Sequence, residues 1–166
     1  EKAIKLFKDD KENSEHMMLV DLARNDLSRT CSNVKVEKDR EIQFYSHVIH
    51  LVSKVTGELK SYSRDIIGST FPAGTLSGAP KHMAMKLIEK YEQHNRSFYG
   101  GAIGFIGFDN NFNHAIMIRS FLSKNQRLFL QAGAGVVSKS DPRNELQEVY
   151  NKIGALLKAL EKAEEI

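Results

Sequence analysis

The sequence predicts a mixed α+β fold, not a doubly wound parallel sheet, and three observations carry that reading. Apolar residues at helical spacing are confined to three stretches, one near the start, one in the middle and one at the end of the chain. Between them lie short runs rich in β-branched and aromatic residues. The later runs are joined by tight turn signals that leave no room for a crossover helix, so their strands pair as hairpins.

The first helix is expected over residues 11–29, which lack glycine and proline and place Met18, Leu19, Leu22 and Ala23 on one face. Residues 32–59 read as strands through Val34, Val36, Ile42, Phe44, Val48 and Val52, with a break near Glu37-Lys38-Asp39-Arg40. A loop punctuated by glycine and proline spans Phe71 to Pro80, and a helix follows over residues 81–93 with Met83, Leu87, Ile88 and Tyr91 along one side. Strands are expected near 100–108, 113–122 and 126–132, separated by turns at Asp109-Asn110-Asn111 and Lys124-Asn125-Gln126. The last helix starts at Asp141-Pro142, an N-cap followed by proline at the first helical position. Its buried stripe is expected to be Leu146, Val149, Ile153, Leu156, Leu157 and Leu160.

Composition narrows the function classes. With 166 residues the chain fits one domain or a piece of a larger one, and 41% hydrophobic with 27% charged residues is a globular balance, not a disordered one. No apolar run reaches the roughly 20 residues of a membrane helix. The first residues lack the cationic and apolar blocks of a signal peptide. One cysteine, Cys31, forms neither an internal disulfide nor a cysteine metal cluster, so the cytosol is the expected compartment. The net charge of +3 comes from cations interleaved with acids, without the basic stripe and aromatics of a nucleic-acid surface.

Several constellations could carry chemistry. Glu12 and Glu15 share a face near the start of the first helix, and Glu145 and Glu148 repeat that spacing near the start of the last, with Lys152 on the same side. Two solvated helix faces explain them economically; a hard divalent cation such as Mg²⁺, which takes oxygen ligands, is the alternative. His50, among apolar neighbours, reads as a structural histidine or a proton carrier. Arg119 is expected to interrupt a strand, where a guanidinium needs an ion-pair partner, a strand end reaching solvent or a ligand carboxylate. Gln131 to Gly135 lacks the third glycine of a dinucleotide fingerprint, and Gly74 to Lys81 fails as a phosphate loop because Pro80 precedes the lysine and His82 follows it.

Taken together, Glu12-Asn13-Ser14-Glu15-His16 with its run to Asp26, His50-Leu51-Val52-Ser53, Phe71 to Lys81 and Tyr99 to Gly104 resemble the C-terminal part of the chorismate-utilising enzymes. Arg119, Gln131 to Gly135 and Glu145 to Lys152 complete the set, and the closest branch is anthranilate synthase component I. The resemblance implies antiparallel sheets packed with helices, residues 1–166 being the C-terminal part of a chorismate-binding domain whose N-terminal portion is absent. It implies Mg²⁺ held directly by Glu12 and Glu145 and through water by Glu15 and Glu148. Tyr99 and Arg119 would bind the enolpyruvyl carboxylate, Gly133 and Gly135 would bring backbone N–H groups to a carboxylate, and Lys152 would join the substrate-binding set. Thr75 and His50 would line the ring, with His50 handling protons.

The implied reaction is an amino-accepting lyase step that turns chorismate and glutamine-derived ammonia into anthranilate and pyruvate, with a glutamine amidotransferase as partner. The aminodeoxychorismate synthase of folate biosynthesis is the nearest alternative; its loop usually reads Gly-Gly-Ser-Ile-Thr-Gly where this chain has Ala73 to Gly78. A chorismate-binding fragment without turnover is a third. Members of the family are several hundred residues long, and their upstream segment supplies the general acid.

Overall fold

The computed structural model describes residue 7 and residues 10–45, 49–138 and 140–165. Helix α1 (Asp10–Ser28) packs on an antiparallel ribbon of β1 (Cys31–Phe44) and β2 (Ile49–Leu59). The expected break at residues 37–40 is not there. Strand β1 runs through it and accommodates 14 residues opposite 11 on β2 by shifting register between Ser32 and Lys35, Val36 and Lys38, and Lys38 and Glu41. Asn33 (φ 50°) and Arg40 (φ 49°) take left-handed backbone in the first and third shifts, so the charged run bulges outward and the strand continues. Val48, read as part of this run, lies outside the described residues.

A helix the apolar spacing does not signal, α2 (Ser63–Thr70), follows; Asp65 in its first turn accepts the Tyr62 N–H at 3.2 Å. The chain then turns through Phe71 to Pro80, where a single 3₁₀ turn (Gly74–Leu76) lies flat on α1. A β-carbon at Gly74 would meet Leu22 Cγ at 2.9 Å, so glycine permits this approach. Helix α3 (Lys81–Tyr91) begins where expected.

Two short hairpins come next, β3 (Ala102–Ile106) with β4 (Phe112–Ile116) and β5 (Leu122–Lys124) with β6 (Arg127–Phe129). Their turns fall at the predicted residues. Asp109 accepts the Asn111 N–H at 3.1 Å, and Asn125 and Gln126 adopt φ of 53° and 59°, as a two-residue hairpin turn demands. The expected strand over 113–122 stops at Ile116. Arg119 therefore interrupts no strand: it is exposed at a bend between β4 and β5 with φ 50°. Helix α4 (Pro142–Glu164) is capped as predicted, Asp141 accepting from the N–H groups of Arg143 (3.1 Å) and Asn144 (3.0 Å).

Burial departs from the expected stripes. Leu146 and Leu157 of α4, and Met83, Leu87 and Tyr91 of α3, are exposed, as are Ile103, Phe105 and Phe108 around the β3–β4 hairpin. Among the described residues only Val20 and Cys31 are buried apolar side chains, and neither is completely shielded from solvent. The surface is 12791 Å², against ~8,300 Å² for a folded monomer of 18.8 kDa. The amphipathic faces are formed but uncovered.

The centre of the described fold is instead an ion pair. Lys81 Nζ donates to Asp26 Oδ2 at 2.6 Å and to the Thr70 carbonyl at 3.2 Å, with side chains 11% and 6% exposed. It joins the end of α1, the end of α2 and the start of α3. Removing one partner leaves an uncompensated buried charge, so Lys81→Met should lower unfolding free energy by about 3–5 kcal/mol, with Asp26→Leu added to it restoring most of the loss. Denaturant midpoints measure this; an unchanged midpoint in the single variant would show that the pair anchors nothing.

Candidate active site

The first helix and the ribbon form one wall. Glu12, Glu15, His16 and Leu19 fall three and four residues apart on α1 and share a face. They line a cleft of about 150 Å³ against Ile49, His50 and Leu51 of β2. His50 is exposed, and its ring meets Tyr45 edge-on with centroids 5.8 Å apart. It lines the cleft together with Glu12 and Glu15.

The stretch after β6 connects this wall to α4. A β-carbon at Gly135 would lie 3.4 Å from Glu15 Oε1, and one at Gly133 would lie 3.5 Å from the Tyr99 hydroxyl. Lys152 Nζ donates to the Gly133 carbonyl at 3.0 Å and pairs with Glu148 at 2.6 Å. Glu145, in the first turn of the same helix, is buried with 6% exposure, and the helix N-terminus favours its negative charge. The structure thus sets Glu15, from the cleft that Glu12 and His50 also line, beside Gly135, and Tyr99 and Lys152, with its partner Glu148, beside Gly133. Among the described residues no group of three or more His, Cys, Asp or Glu side chains is gathered closely enough to hold an ion by itself.

Tyr99 is held from behind. Arg96 stacks its guanidinium 5.6 Å from the Tyr99 ring, pairs with Glu92 at 2.5 Å and donates to the Leu76 carbonyl. The hydrogen bonds that Arg96 donates to the Glu92 carboxylate hold the Arg96 pKa above its ordinary value, against the opposing effect of burial. Gly100, with φ 76°, lets the chain pass Leu76, whose Cδ1 would stand 3.0 Å from a β-carbon there. Tyr99 is thereby tied to the 3₁₀ turn that carries Thr75. Thr75 and Arg119 are exposed, the first in the 3₁₀ turn and the second at the bend after β4.

Sequence reasoning assigned no role to Asp26, Lys81, Arg96, His16 or Ser53. A signal existed for the first two: an acid in the last turn of α1 and a base in the first turn of α3 both oppose their helix dipoles, which marks charges held by something else.

The chain belongs to a family of chorismate-binding enzymes: the family model described as "chorismate binding enzyme" matches residues 1–158. Within that class it is similar to anthranilate synthase component 1 from Aquifex aeolicus, 49% identical over 164 residues that cover 96% of this chain and 33% of that protein. Its fold matches the crystal structure of anthranilate synthase component I from Streptococcus pneumoniae with a TM-score of 0.85 at 45% identity, covering 91% of this chain and 36% of that one. It also matches the menaquinone-specific isochorismate synthase from Escherichia coli, with a TM-score of 0.84 at 26% identity, covering 93% and 36%. The chain spans about a third of the length of the curated relatives it matches.

The distances at the two glycines separate folding from binding. At 3.4 and 3.5 Å from the nearest side chains, a methyl group at either position makes ordinary van der Waals contact. Gly133→Ala and Gly135→Ala should therefore melt like the parent chain. In a complete synthase subunit carrying this segment, each should weaken chorismate binding by at least tenfold, or about 1.4 kcal/mol, because the methyl group occupies the line of approach to the backbone. Wild-type affinity in both variants would remove the glycine stretch from the site.

Proposed function

We propose that this chain is the carboxylate-binding part of an amino-accepting lyase that converts chorismate and ammonia to anthranilate and pyruvate, the first committed step of tryptophan biosynthesis. The observation that carries the reading is the junction at Gly133 to Gly135, where Tyr99, Glu15 and Lys152 converge on one glycine stretch in a chain about half identical to anthranilate synthase component 1. In this reading ammonia adds at ring C2 as the 4-hydroxyl leaves, and elimination of pyruvate gives the aromatic product. Tyr99 and Arg119 bind the enolpyruvyl carboxylate; Thr75 and His50 border the ring, and His50 handles a proton at the exposed edge of the cleft. A glutamine amidotransferase supplies the ammonia. The cytosolic setting belongs to the same reading, and the lone buried thiol of Cys31 suits a reducing compartment.

Mg²⁺ is the cofactor of this proposal, and the donor set fits it. Mg²⁺ is held in proteins through one or two carboxylates, with waters and substrate oxygens completing its shell, and each helix offers one such pair. Glu12 and Glu145 would hold the ion directly, and Glu15 and Glu148 through water. When bound it would neutralise charge on the ring carboxylate. Glu145→Gln removes one charge and keeps a good helix former, so it should sharply reduce the Mg²⁺-linked part of chorismate affinity in titration calorimetry of a complete subunit. An unchanged linkage would take Glu145 out of the metal set.

The uncovered apolar faces and the third of the relatives' length spanned here support placing turnover in a longer polypeptide. Proton transfer by a general acid contributes about a hundredfold to ten-thousandfold, and the resemblance places that acid upstream of this segment. The 166-residue chain should form no detectable anthranilate from chorismate, ammonia and Mg²⁺, whereas a complete subunit carrying it should, read by anthranilate fluorescence. Anthranilate from the chain itself would refute the need for an upstream part. Aminodeoxychorismate from the complete subunit would refute the assigned product.

A further inference from the structure

One hydrogen-bond chain from α1 to the ribbon plays no part in the reading above. Ser53 of β2 stands opposite the third register shift of β1, where Asp39 and Arg40 fall between the pairs Lys38↔Lys54 and Glu41↔Val52. Arg40, in left-handed backbone, donates its N–H to Ser53 Oγ at 2.9 Å instead of to the ladder. The same hydroxyl donates to Asp39 Oδ1 at 3.4 Å. A serine hydroxyl has one proton and two lone pairs, so one lone pair remains. His16 Nε2 lies 2.7 Å away and fills it as a donor, which assigns the Nε2–H tautomer from the hydrogen-bond inventory. The bulge, β2 and α1 are thus tied at a single oxygen.

What stands beside this tie gives it a role. His16 is one helical turn from Glu12 and adjacent to Glu15, and all three border the cleft that His50 closes. A helix can slide or roll on a strand ribbon without losing apolar contact, because burial is non-directional; a hydrogen bond fixes one position. Bulges next to active sites re-aim side chains in this way. Resting on the chorismate reading, we propose that His16 and Ser53 are positioning residues: acting through the bulge at Asp39 and Arg40, they set the height and rotation of the Glu12–Glu15 face over His50. Neither supplies a ligand atom or a proton to the substrate.

The test uses a complete synthase subunit carrying this segment, with Mn²⁺ affinity in the presence of chorismate measured by calorimetry beside the kinetics of anthranilate formation. Residues that orient metal-binding groups typically cost 10–100-fold in metal affinity when removed. Ser53→Ala should weaken Mn²⁺ binding about tenfold and lower kcat. His16→Leu should do the same, and the double variant should be no worse than either single one, since each cuts the same tie. His16→Gln, whose amide nitrogen can still donate to Ser53, should recover most of the affinity. Ser53→Ala removes one oxygen and carries the test by itself if the leucine variant does not fold. Wild-type affinity in Ser53→Ala, or losses that multiply in the double variant, would overturn the proposal while leaving the enzyme reading intact. A wild-type subunit that neither forms anthranilate nor binds Mn²⁺ with chorismate would overturn both.

Discussion

Two charges set against their own helix dipoles, Asp26 near the end of α1 and Lys81 at the start of α3, meet 2.6 Å apart with almost no exposure to water. Each is unfavourable where it stands until the other arrives. Their contact fixes three element ends at once, because Lys81 also holds the Thr70 carbonyl at the end of α2. Glu15 lies eleven residues before Asp26 on the same rigid helix, roughly 16 Å along its axis. The far end of α1 is clamped against the Phe71 to Pro80 loop, and the near end presents carboxylates to the ribbon. The pair therefore holds the carboxylate helix and the Thr75 loop in one frame, a constraint that apolar packing does not supply in a structure with so few buried apolar side chains.

Much of this frame was legible in the sequence, because the signals involved are local. The N-cap at Asp141, the turns at Asp109 to Asn111 and at Asn125-Gln126, and the start of α3 after Pro80 depend on chemistry within a few residues, and all stand where they were read. What escaped depends on partners far along the chain. Charged residues at 37–40 read as a break, but left-handed Arg40 and the Ser53 hydroxyl absorb them into a bulge. Arg119 reads as lying inside a strand because Ala115 to Ile118 are apolar; Met117 still bonds Gly100 and Gly101, and the chain leaves the ladder where the Ile118 N–H turns back to the Ile116 carbonyl. Leu146 and Leu157 have the spacing of a buried stripe, but spacing identifies a face without identifying what covers it.

The candidate site shows the same division. Glu12, Glu15 and His50 line one cleft, and Lys152 donates to the Gly133 carbonyl, contacts that the local spacing does not specify. Among the described residues no group of three or more His, Cys, Asp or Glu side chains is gathered to hold an ion by itself, and Thr75 and Arg119 are exposed, so these residues form an open surface and not a closed pocket. A surface half again larger than that of a compact monomer of this mass is the same fact seen from outside. The relatives it matches are about three times as long.

Hydrogen–deuterium exchange of a complete subunit carrying this segment, with and without chorismate and Mg²⁺, tests most directly whether these residues are the carboxylate-binding surface. Slowed amide exchange reports which backbone becomes ordered or covered on binding. The account predicts slowing concentrated in residues 12–19, 131–136 and 145–152, with little change along the solvent side of α3. Protection that spares all three segments while ligand is demonstrably bound would contradict it.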